Sequence, residues 1–300
     1  MVAAVEKMKW AITGGSGQLA KSLSELLASK HIEFAAWGHK EVDISKTSSM
    51  QVIADFRPDV LVNCAAWTDV EGAEESFSEA AKVNRDGAEN VATVAKALNI
   101  QLVHISTDYV FSGKSSTPWN VNDPTNPESN YGMSKLLGER KIEEIWPEKS
   151  CILRTAWLYG PYGKNFAKTI LRKSLVSEEP IRVVNDQMGQ PTSTFDLATR
   201  IFDLVDSKVS SGLYHATSSG EATWWDFARE IIRLNQEDIS RIIPVASRDF
   251  KSKVNRPEYS VLDHSSWNAV GFKPMREWRS ALKYVFPAIK ANVMKELSND

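Results

Sequence analysis

Cysteine is scarce in this sequence, and neither sign of charge dominates it. Two cysteines in 300 residues, Cys64 and Cys151, exclude a disulfide framework and favour a reducing compartment. The formal net charge of −2 lacks the excess of Lys and Arg that binding to nucleic-acid phosphates requires. We therefore expect no nucleic-acid partner.

Long apolar runs are missing as well. No segment approaches the roughly 20 apolar residues of a transmembrane helix, and residues 1–9 carry two lysines and a glutamate without a long apolar run behind them. Hydrophobic residues make up 42% and charged residues 25% of the chain, as in ordinary globular proteins. We expect no membrane span, no targeting segment and a cytoplasmic location.

Short β-rich runs alternate with helical periodicity in the first half of the chain. The strands are predicted at 9–13, 33–37, 60–64, 101–106 and 151–155, and the helices at 18–30, 48–57, 77–98 and 131–146. This alternation predicts an α/β fold with a doubly wound parallel sheet of the Rossmann kind. The second half is less regular and predicts a smaller C-terminal α/β lobe.

The domain prediction follows from this change of pattern. Residues 1–160 are expected to form an NAD(P)-binding domain, and residues 161–300 mainly a substrate-binding lobe, with some segments free to return to the first domain.

A glycine-rich string, TGGSGQLA at 13–20, joins the first strand to the first helix. Gly14 permits a tight turn, Gly17 lets backbone approach a pyrophosphate, and the small Ala20 lets the helix pack on the strand. An ordinary strand-to-helix turn is the alternative interpretation. The cofactor contacts expected here are Gly14, Ser16, Gly17, Gln18 and Leu19.

The end of the second strand bears on the choice of cofactor. An acidic residue there would bind the ribose 2′-hydroxyl of NAD, but no carboxylate precedes Glu41. His39 or Lys40 can instead pair with a 2′-phosphate, which favours NADPH over NADH, although both also suit a solvated loop. Asp43 and Ile44 are expected near the adenine.

Small residues follow the third strand in the string NCAAWT at 63–68. Cys64, Ala65 and Ala66 allow a cofactor to lie close to the backbone, with plain core packing as the alternative.

The residues that point to a reaction lie at the end of the fourth strand and the start of the next helix. Tyr131 and Lys135 are four residues apart and share one helix face. We expect the lysine to lower the tyrosine pKa so that the phenol serves as general acid. Thr107 can donate a second hydrogen bond to the oxygen on which charge develops. The predicted catalytic residues are Thr107, Tyr131 and Lys135.

Several strings resemble the dTDP-4-dehydrorhamnose reductases, a family of the extended short-chain dehydrogenase/reductase superfamily. They are TGGSGQLA (13–20), NCAAWT (63–68), STDYVFSG (106–113), YGMSKLLGE (131–139), RTAWLYG (154–160), NDQMGQPT (185–192) and TWWDFA (223–228). The resemblance runs from residue 9 to about residue 265. It implies NADPH-dependent reduction of the C4 keto group of dTDP-4-dehydro-L-rhamnose to dTDP-L-rhamnose.

The resemblance also implies individual roles. Tyr131 would protonate the C4 oxygen, Thr107 would bond the same oxygen, and Lys135 would hold the nicotinamide ribose. Ser106, Tyr131 and Lys135 complete the expected cofactor contacts. The expected substrate contacts are Thr68, Thr107, Asp108, Tyr131, Trp157, Asn165, Gln187 and Arg256. Core packing is the alternative for Trp157, and a surface arginine is the alternative for Arg256.

One departure from the family concerns metal and assembly. Some members dimerise through a magnesium site made of glutamates, and the corresponding positions here are Ser22 and Phe195. Neither residue offers the charged oxygen ligands that magnesium prefers. We therefore expect no structural magnesium and a monomer or weak homodimer. The expected small-molecule partner is a nucleotide-sugar substrate.

Two alternatives stay open. A nucleotide-sugar dehydratase or epimerase shares the scaffold, but dehydratases place an Asp-Glu pair where this chain has Asp108 and Tyr109. A noncatalytic, NADP-binding regulatory subunit, like the β subunit of methionine adenosyltransferase, is the second alternative.

Overall fold

The computed structural model describes residues 8–209, 211–249 and 254–299, so residues 1–7, 210, 250–253 and 300 of the two predicted domains lie outside it. None of the helices in these ranges is both long enough and apolar enough to span a bilayer.

Fourteen strands and ten α-helices make up the described chain. The strands are β1 (Trp10–Thr13), β2 (Phe34–Trp37), β3 (Val60–Asn63), β4 (Gln101–Thr107), β5 (Ser150–Thr155), β6 (Leu158–Tyr159), β7 (Ile181–Val184), β8 (Met188–Gly189), β9 (Thr192–Ser193), β10 (Gly212–His215), β11 (Ser218–Ser219), β12 (Ala222–Thr223), β13 (Ile242–Val245) and β14 (Met275–Glu277). The helices are α1 (Gln18–Ser29), α2 (Met50–Phe56), α3 (Val70–Glu75), α4 (Phe77–Ala81), α5 (Gly87–Leu98), α6 (Asn130–Ile145), α7 (Phe166–Val176), α8 (Thr194–Asp206), α9 (Trp224–Leu234) and α10 (Trp278–Leu297).

The central sheet has six strands in the order β10-β5-β4-β3-β1-β2, and every pair in it is parallel. Strands β1 and β3 are buried along their whole length, as expected where helices cover both faces of a parallel sheet. The predicted doubly wound fold is confirmed. The chain leaves β1 toward β2 on one side and later builds β3, β4 and β5 on the other, so the strand order reverses between β1 and β3. Ligands of such sheets bind at this reversal.

Two apolar layers cover the sheet. On one face, α1 and α8 bury Leu23, Leu27 and Ile201 together with Trp267. On the other face, α2 and α5 supply Ile53 and other apolar side chains, and α6 supplies Ile142. Each helix buries one apolar stripe, which is the pattern that the helical periodicity of the sequence predicts.

The helical segment predicted at 77–98 contains an irregularity that its periodicity does not reveal. A π-helical turn at Lys82–Asp86 separates α4 from α5 and contains Asn84, which is 2% exposed. The Asn84 amide donates to Ser134 Oγ of α6 at 2.9 Å and accepts from the Trp67 N–H at 2.9 Å. Asn84 therefore ties the loop after β3 to α6, and π turns of this kind are frequent at functional sites.

A second apolar core lies in the C-terminal part of the chain. Helices α7, α9 and α10 pack around the parallel pair β7 and β13, with Phe227, Trp278 and Ile289 fully buried. Helix α9 begins with a capping box in which Thr223 and Asp226 satisfy each other's backbone N–H groups.

The domain division stays a proposal. Helix α8 packs on α1, and β10 pairs with β5 as the edge of the central sheet, so both segments belong to the first layer although they follow residue 160. The remainder of the described residues after 160 mainly forms the second core.

Gly138 of α6 tests the close packing of α6 against the Asn84 turn. A Cβ there would lie 2.2 Å from the Asn84 carbonyl oxygen, a backbone atom that cannot turn aside. We expect Gly138→Ala to lower the free energy of unfolding by about 1–3 kcal/mol, measured by urea denaturation, although alanine favours helix. Gly87→Ala on α5 is the control, because its Cβ meets only the Ile44 side chain. Equal or greater stability of the Gly138 variant would contradict this packing.

Candidate active site

The turn after β1 is shaped by two close backbone approaches. Gly14 has a φ of +70°, and a Cβ on it would lie 2.7 Å from the Ala65 nitrogen. A Cβ on Gly15 would lie 2.8 Å from the Ala36 carbonyl carbon of β2. The turn therefore passes between the ends of β2 and β3 only because both residues lack side chains.

Helix α1 begins at this turn without a side-chain cap. Its N-cap residue, Gly17, is exposed and has no side chain to accept from the first N–H groups of the helix. Unsatisfied N–H groups at a helix N-terminus attract a phosphate. Ser16 is exposed beside them, Leu19 is buried, and the Gln18 amide donates to the Leu158 carbonyl at 3.3 Å. These residues fit the pyrophosphate of a dinucleotide.

The residues after β2 lie where a 2′-phosphate could reach them. His39 and Lys40 are exposed, and His39 Nδ1 lies 3.8 Å from the Asp43 carboxylate. Asp43 accepts a hydrogen bond from Ser45 Oγ at 2.7 Å, and Ile44 is buried against Gly87 of α5. The two cationic or potentially cationic side chains are thus accessible to a ligand, whereas the Asp43 carboxylate is already engaged.

Thr107, Asp108 and Tyr131 meet at the carboxyl end of β4. The Thr107 hydroxyl donates to Asp108 Oδ1 at 3.0 Å and lies close enough to the Tyr131 phenol to influence its pKa. Burial raises the pKa of the Asp108 carboxyl to about 6. Within the described part of the chain, Asp108 Oδ2 is buried and has no hydrogen bond of normal geometry, although the Ser260 hydroxyl lies close enough to lower the pKa of the carboxyl. A polar ligand in this place could satisfy that oxygen.

The expected direction of the tyrosine pKa is wrong. Burial raises the pKa of Tyr131 above its ordinary value, the Asp108 and Tyr109 side chains add to the shift, and the Thr107 hydroxyl opposes it. Lys135 does not lower it, because the lysine amine turns away and donates to the Ile105 carbonyl at 2.6 Å. Tyr131 therefore keeps its proton at neutral pH, which is the state that a proton donor needs.

A buried ion pair holds helix α6, which carries Tyr131 and Lys135, against the central sheet. Glu139 of α6, one turn after Lys135, accepts from Arg154 Nη2 at 2.7 Å and from Arg154 Nε at 3.0 Å. The Ser106 hydroxyl also donates to Glu139. The pair fixes α6 against both β4 and β5, since Ser106 belongs to the first strand and Arg154 to the second.

A cavity of about 870 Å³ is lined by residues from both halves of the chain. Gln187, Trp224 and Arg256 line it. Arg256 interacts with Tyr109, whose ring lies 5.6 Å from that of Tyr131 in an edge-on arrangement. Arg256 thereby links the cavity to the strand-end cluster, although Thr107, Asp108 and Tyr131 do not themselves line it. Its other charged lining residues are Glu71, Lys114, Glu128, Lys173, Arg182, Arg248 and Glu258.

Trp157, which stacks on the cavity-lining Trp224, has an unusual backbone. Its φ of +47° lies in the left-handed region, which is rare for a bulky side chain. The ring stacks on Trp224 with centroids 3.5 Å apart and planes 9° apart. A Cβ on Gly189 would lie 2.5 Å from the ring, so the glycine makes the stack possible. Strain of this kind is typical of functional sites.

Of the eight expected substrate contacts, Gln187 and Arg256 line the cavity, whereas the lining does not include the other six, Thr68, Thr107, Asp108, Tyr131, Trp157 and Asn165. Asn165 caps α7 through the Lys168 N–H and donates to the Gly160 carbonyl at 2.9 Å, with Gln18 at 3.5 Å. Its side chain thus faces the cofactor turn and is not among the lining of the cavity. Thr68 is exposed in the loop after β3. Their assignment as substrate contacts stays a prediction.

Sequence reasoning missed other residues of the site. Trp224 and Tyr109 gave no signal beyond belonging to recognisable strings, and their roles depend on the stack and on Arg256. His104, a buried polar residue between the apolar Val103 and Ile105 of β4, lies 3.3 Å from Lys135 Nζ.

The positions relevant to magnesium are engaged within the chain. Ser22 is buried and donates to Thr194 Oγ1 at 2.8 Å, and Phe195 packs on the second core. The residues that the structure describes contain no group of three or more His, Cys, Asp or Glu side chains able to hold a metal. The expected absence of structural magnesium stays a prediction.

The glycine turn, the uncapped helix and the strand-end cluster define a dinucleotide-binding α/β protein. A family model described as the RmlD substrate binding domain matches residues 8–290. The chain belongs to this family.

Relatives and solved structures agree with this assignment. The chain is 41% identical over 286 residues to the dTDP-4-dehydrorhamnose reductase of Streptomyces griseus, with 94% of each chain covered. It is 41% identical to the dTDP-4-keto-6-deoxy-D-glucose reductase of Streptomyces niveus, covering 95% of this chain and 98% of the relative. The dTDP-4-dehydrorhamnose reductase of Bacillus anthracis, crystallised with NADP, has a TM-score of 0.90 at 36% identity, covering 94% of this chain and 99% of the other.

Gly189→Ala tests the tryptophan stack. We expect the added methyl group to push the Trp157 ring off Trp224. The exciton signal of the stacked indoles should then disappear from the circular dichroism spectrum. Trp157→Phe provides the reference spectrum without the stack. A Gly189 variant with the wild-type signal would contradict the contact.

Glu139→Gln tests the buried ion pair. Because Arg154 is 3% exposed, we expect the unpaired guanidinium to cost about 3–5 kcal/mol of unfolding free energy in urea denaturation. Glu144→Gln is the control: it breaks the pair with Lys141, but the Glu144 side chain is 67% exposed, so we expect less than about 1 kcal/mol. Similar losses in both variants would argue against the support role of Glu139.

Proposed function

We propose that the protein is an NADPH-dependent reductase that converts the C4 keto group of dTDP-4-dehydro-L-rhamnose to the hydroxyl of dTDP-L-rhamnose. The observation that carries this proposal is that the Thr107 hydroxyl, the Asp108 carboxyl and the protonated Tyr131 phenol come together at the carboxyl end of β4. A cavity of about 870 Å³, whose lining residue Arg256 interacts with Tyr109, is large enough for a nucleotide sugar. Relatives named as reductases of dTDP-linked 4-keto sugars support the substrate class.

The cofactor proposal rests on the turn after β1 and on the end of β2. Gly14, Gly15 and the free N–H groups of α1 suit a pyrophosphate, and Lys40 and His39 suit the 2′-phosphate that distinguishes NADPH from NADH. The related structure from Bacillus anthracis was crystallised with NADP. When bound, NADPH supplies the hydride that forms the new C–H bond at C4.

The residues of this chain would bind and protonate the keto oxygen of the substrate. Thr107 and Tyr131 would hold the keto oxygen by two hydrogen bonds, and Tyr131 would give it a proton as negative charge develops there. The raised pKa of Tyr131 keeps that proton available at neutral pH. Lys135 would bind the nicotinamide ribose, and Arg256 and Gln187, which line the cavity, would contact the substrate.

The sequence around Asp108 favours reduction over elimination. A dehydratase of this superfamily uses a second carboxylate after the aspartate, and this chain has Tyr109 in that position. Tyr109 holds a raised pKa of about 12, mainly through burial, so it cannot serve as the base near neutral pH. We also propose a cytoplasmic location, compatible with the free Cys64 and Cys151, and a monomer or weak homodimer.

Tyr131→Phe tests the reaction. With NADPH and dTDP-4-dehydro-L-rhamnose we expect kcat to fall about 10²- to 10⁴-fold, because the proton donor is lost, while the Kd for NADPH changes little. NADPH oxidation is followed by absorbance, and NADH is compared in parallel.

Tyr162→Phe is the matched control, because this tyrosine bonds Glu25 on the surface and adjoins neither the cavity nor Tyr131. Wild-type kcat in the Tyr131 variant would remove the phenol as proton donor. Wild-type protein that binds NADPH but never oxidises it with the sugar would instead favour a regulatory subunit.

A further inference from the structure

A row of buried polar side chains crosses the central sheet beneath the cofactor turn. Thr13, Asn63 and His104 are register neighbours on β1, β3 and β4, and each is at most 1% exposed. Neighbours in register direct their side chains to the same face of a parallel sheet. Helix α6 covers that face and brings Lys135, 2% exposed, to the end of the row.

The hydrogen bonds of Asn63 fix the orientation of its amide. Asn63 Oδ1 accepts from Thr13 Oγ1 at 2.6 Å and from the Ala65 N–H at 3.2 Å. A backbone N–H can only donate, so the oxygen of the amide must face it. Asn63 Nδ2 is thereby left to face His104 Nδ1 at 2.9 Å, and it can only donate.

This orientation decides the tautomer of His104. Burial lowers the pKa of His104 well below its ordinary value, so the ring is neutral and carries one proton. Since Nδ1 accepts from Asn63, the proton resides on Nε2. That Nε2–H faces Lys135 Nζ at 3.3 Å.

A donor pointing at the lysine nitrogen needs a lone pair there. The ammonium form of Lys135 has only donors, whereas the neutral amine can accept from His104 while it donates to the Ile105 carbonyl at 2.6 Å. Burial lowers the pKa of Lys135 to about 8, and the Glu139 carboxylate and the Cys64 thiol oppose this shift. Tyr131, one turn earlier on α6, is the remaining titratable neighbour on that helix.

We propose that His104, oriented by Asn63, is a positioning residue that favours the neutral amine of Lys135 in the cofactor-free protein, so that in mildly alkaline solution NADPH binding takes up a proton at Lys135. The second part of this proposal, proton uptake on NADPH binding, rests on the proposed function, because it assumes that Lys135 binds the nicotinamide ribose. An ammonium faces an unfavourable contact with the Nε2–H, so protonation turns Lys135 away from His104 and toward the cofactor.

The first test needs neither cofactor nor substrate. We expect the imidazole ¹⁵N spectrum of the wild type to show His104 protonated on Nε2 alone. The ¹³Cε signal of Lys135, in protein labelled with [6-¹³C]lysine and assigned by its loss in Lys135→Met, should titrate near pH 8. Protonation of His104 on Nδ1, or titration of Lys135 near its ordinary value of about 10.4, overturns the proposal.

Asn63→Asp tests the direction of the hydrogen bond between residue 63 and His104, and it changes the shape of the side chain little. An aspartate can accept from His104, so we expect the His104 proton to move to Nδ1 and the Lys135 titration to rise by at least about one pH unit. Asn84→Asp is the matched control, since Asn84 is equally buried but bonds Trp67 and Ser134. An unchanged tautomer in the Asn63 variant, or the same switch in both variants, overturns the proposal.

Calorimetry of the wild type gives an independent measurement. At pH 8.5, in two buffers of different ionisation enthalpy, we expect NADPH binding to take up about half a proton or more per site. Binding without proton uptake overturns the inference about Lys135. Failure to bind NADPH counts against the proposed function instead. The two NMR tests use the cofactor-free protein, so they still decide whether His104 positions Lys135.

Discussion

The position of α6 against the carboxyl ends of β4 and β5 is the constraint on which the site depends. The buried Glu139 carboxylate bonds Arg154 of β5 and Ser106 of β4, and thereby fixes the rotation of the helix that carries Tyr131 and Lys135. Two other contacts hold the same helix at close range, the Asn84 amide on Ser134 and the backbone approach at Gly138. A slip of α6 by one residue would turn Tyr131 about 100° away from Thr107, because a helix repeats every 3.6 residues.

Burial governs the electrostatics of the site more than the pairing of charges does. Removal from water favours the neutral form of each titratable group, so the pKa values of Tyr131 and Asp108 rise while those of Lys135 and His104 fall. Burial thus favours protons on the phenol and disfavours them on the amine and the imidazole. A ligand that brings compensating polar groups into such a site shifts these pKa values, which links ligand binding to proton movement.

The sequence was most informative where function depends on local geometry. The glycines at 14–17 and the spacing of Tyr131 and Lys135 were readable because a turn and a helix face are set by neighbouring residues. The place of β10 at the edge of the central sheet was not readable, because it depends on pairing with β5, which lies about 60 residues earlier in the chain. The direction of the Tyr131 pKa shift was misjudged because burial comes from elements distant in the chain. Trp157 was identified through resemblance, but its left-handed backbone follows from Trp224 and Gly189, which no spacing rule connects.

The path of the chain between the two cores has a consequence for folding. After the second core begins with α7, the chain returns to add α8 and β10 to the central sheet, and then leaves again for α9 and α10. A fragment ending at residue 160 would expose the apolar face of α1 and leave the backbone of β5 unpaired along one edge. The first half therefore depends on segments of the second half, and we expect the two cores to unfold together. The cavity, which residues of both halves line, therefore depends on both cores. An insertion or a circular permutation in a segment that connects the cores would disturb both of them.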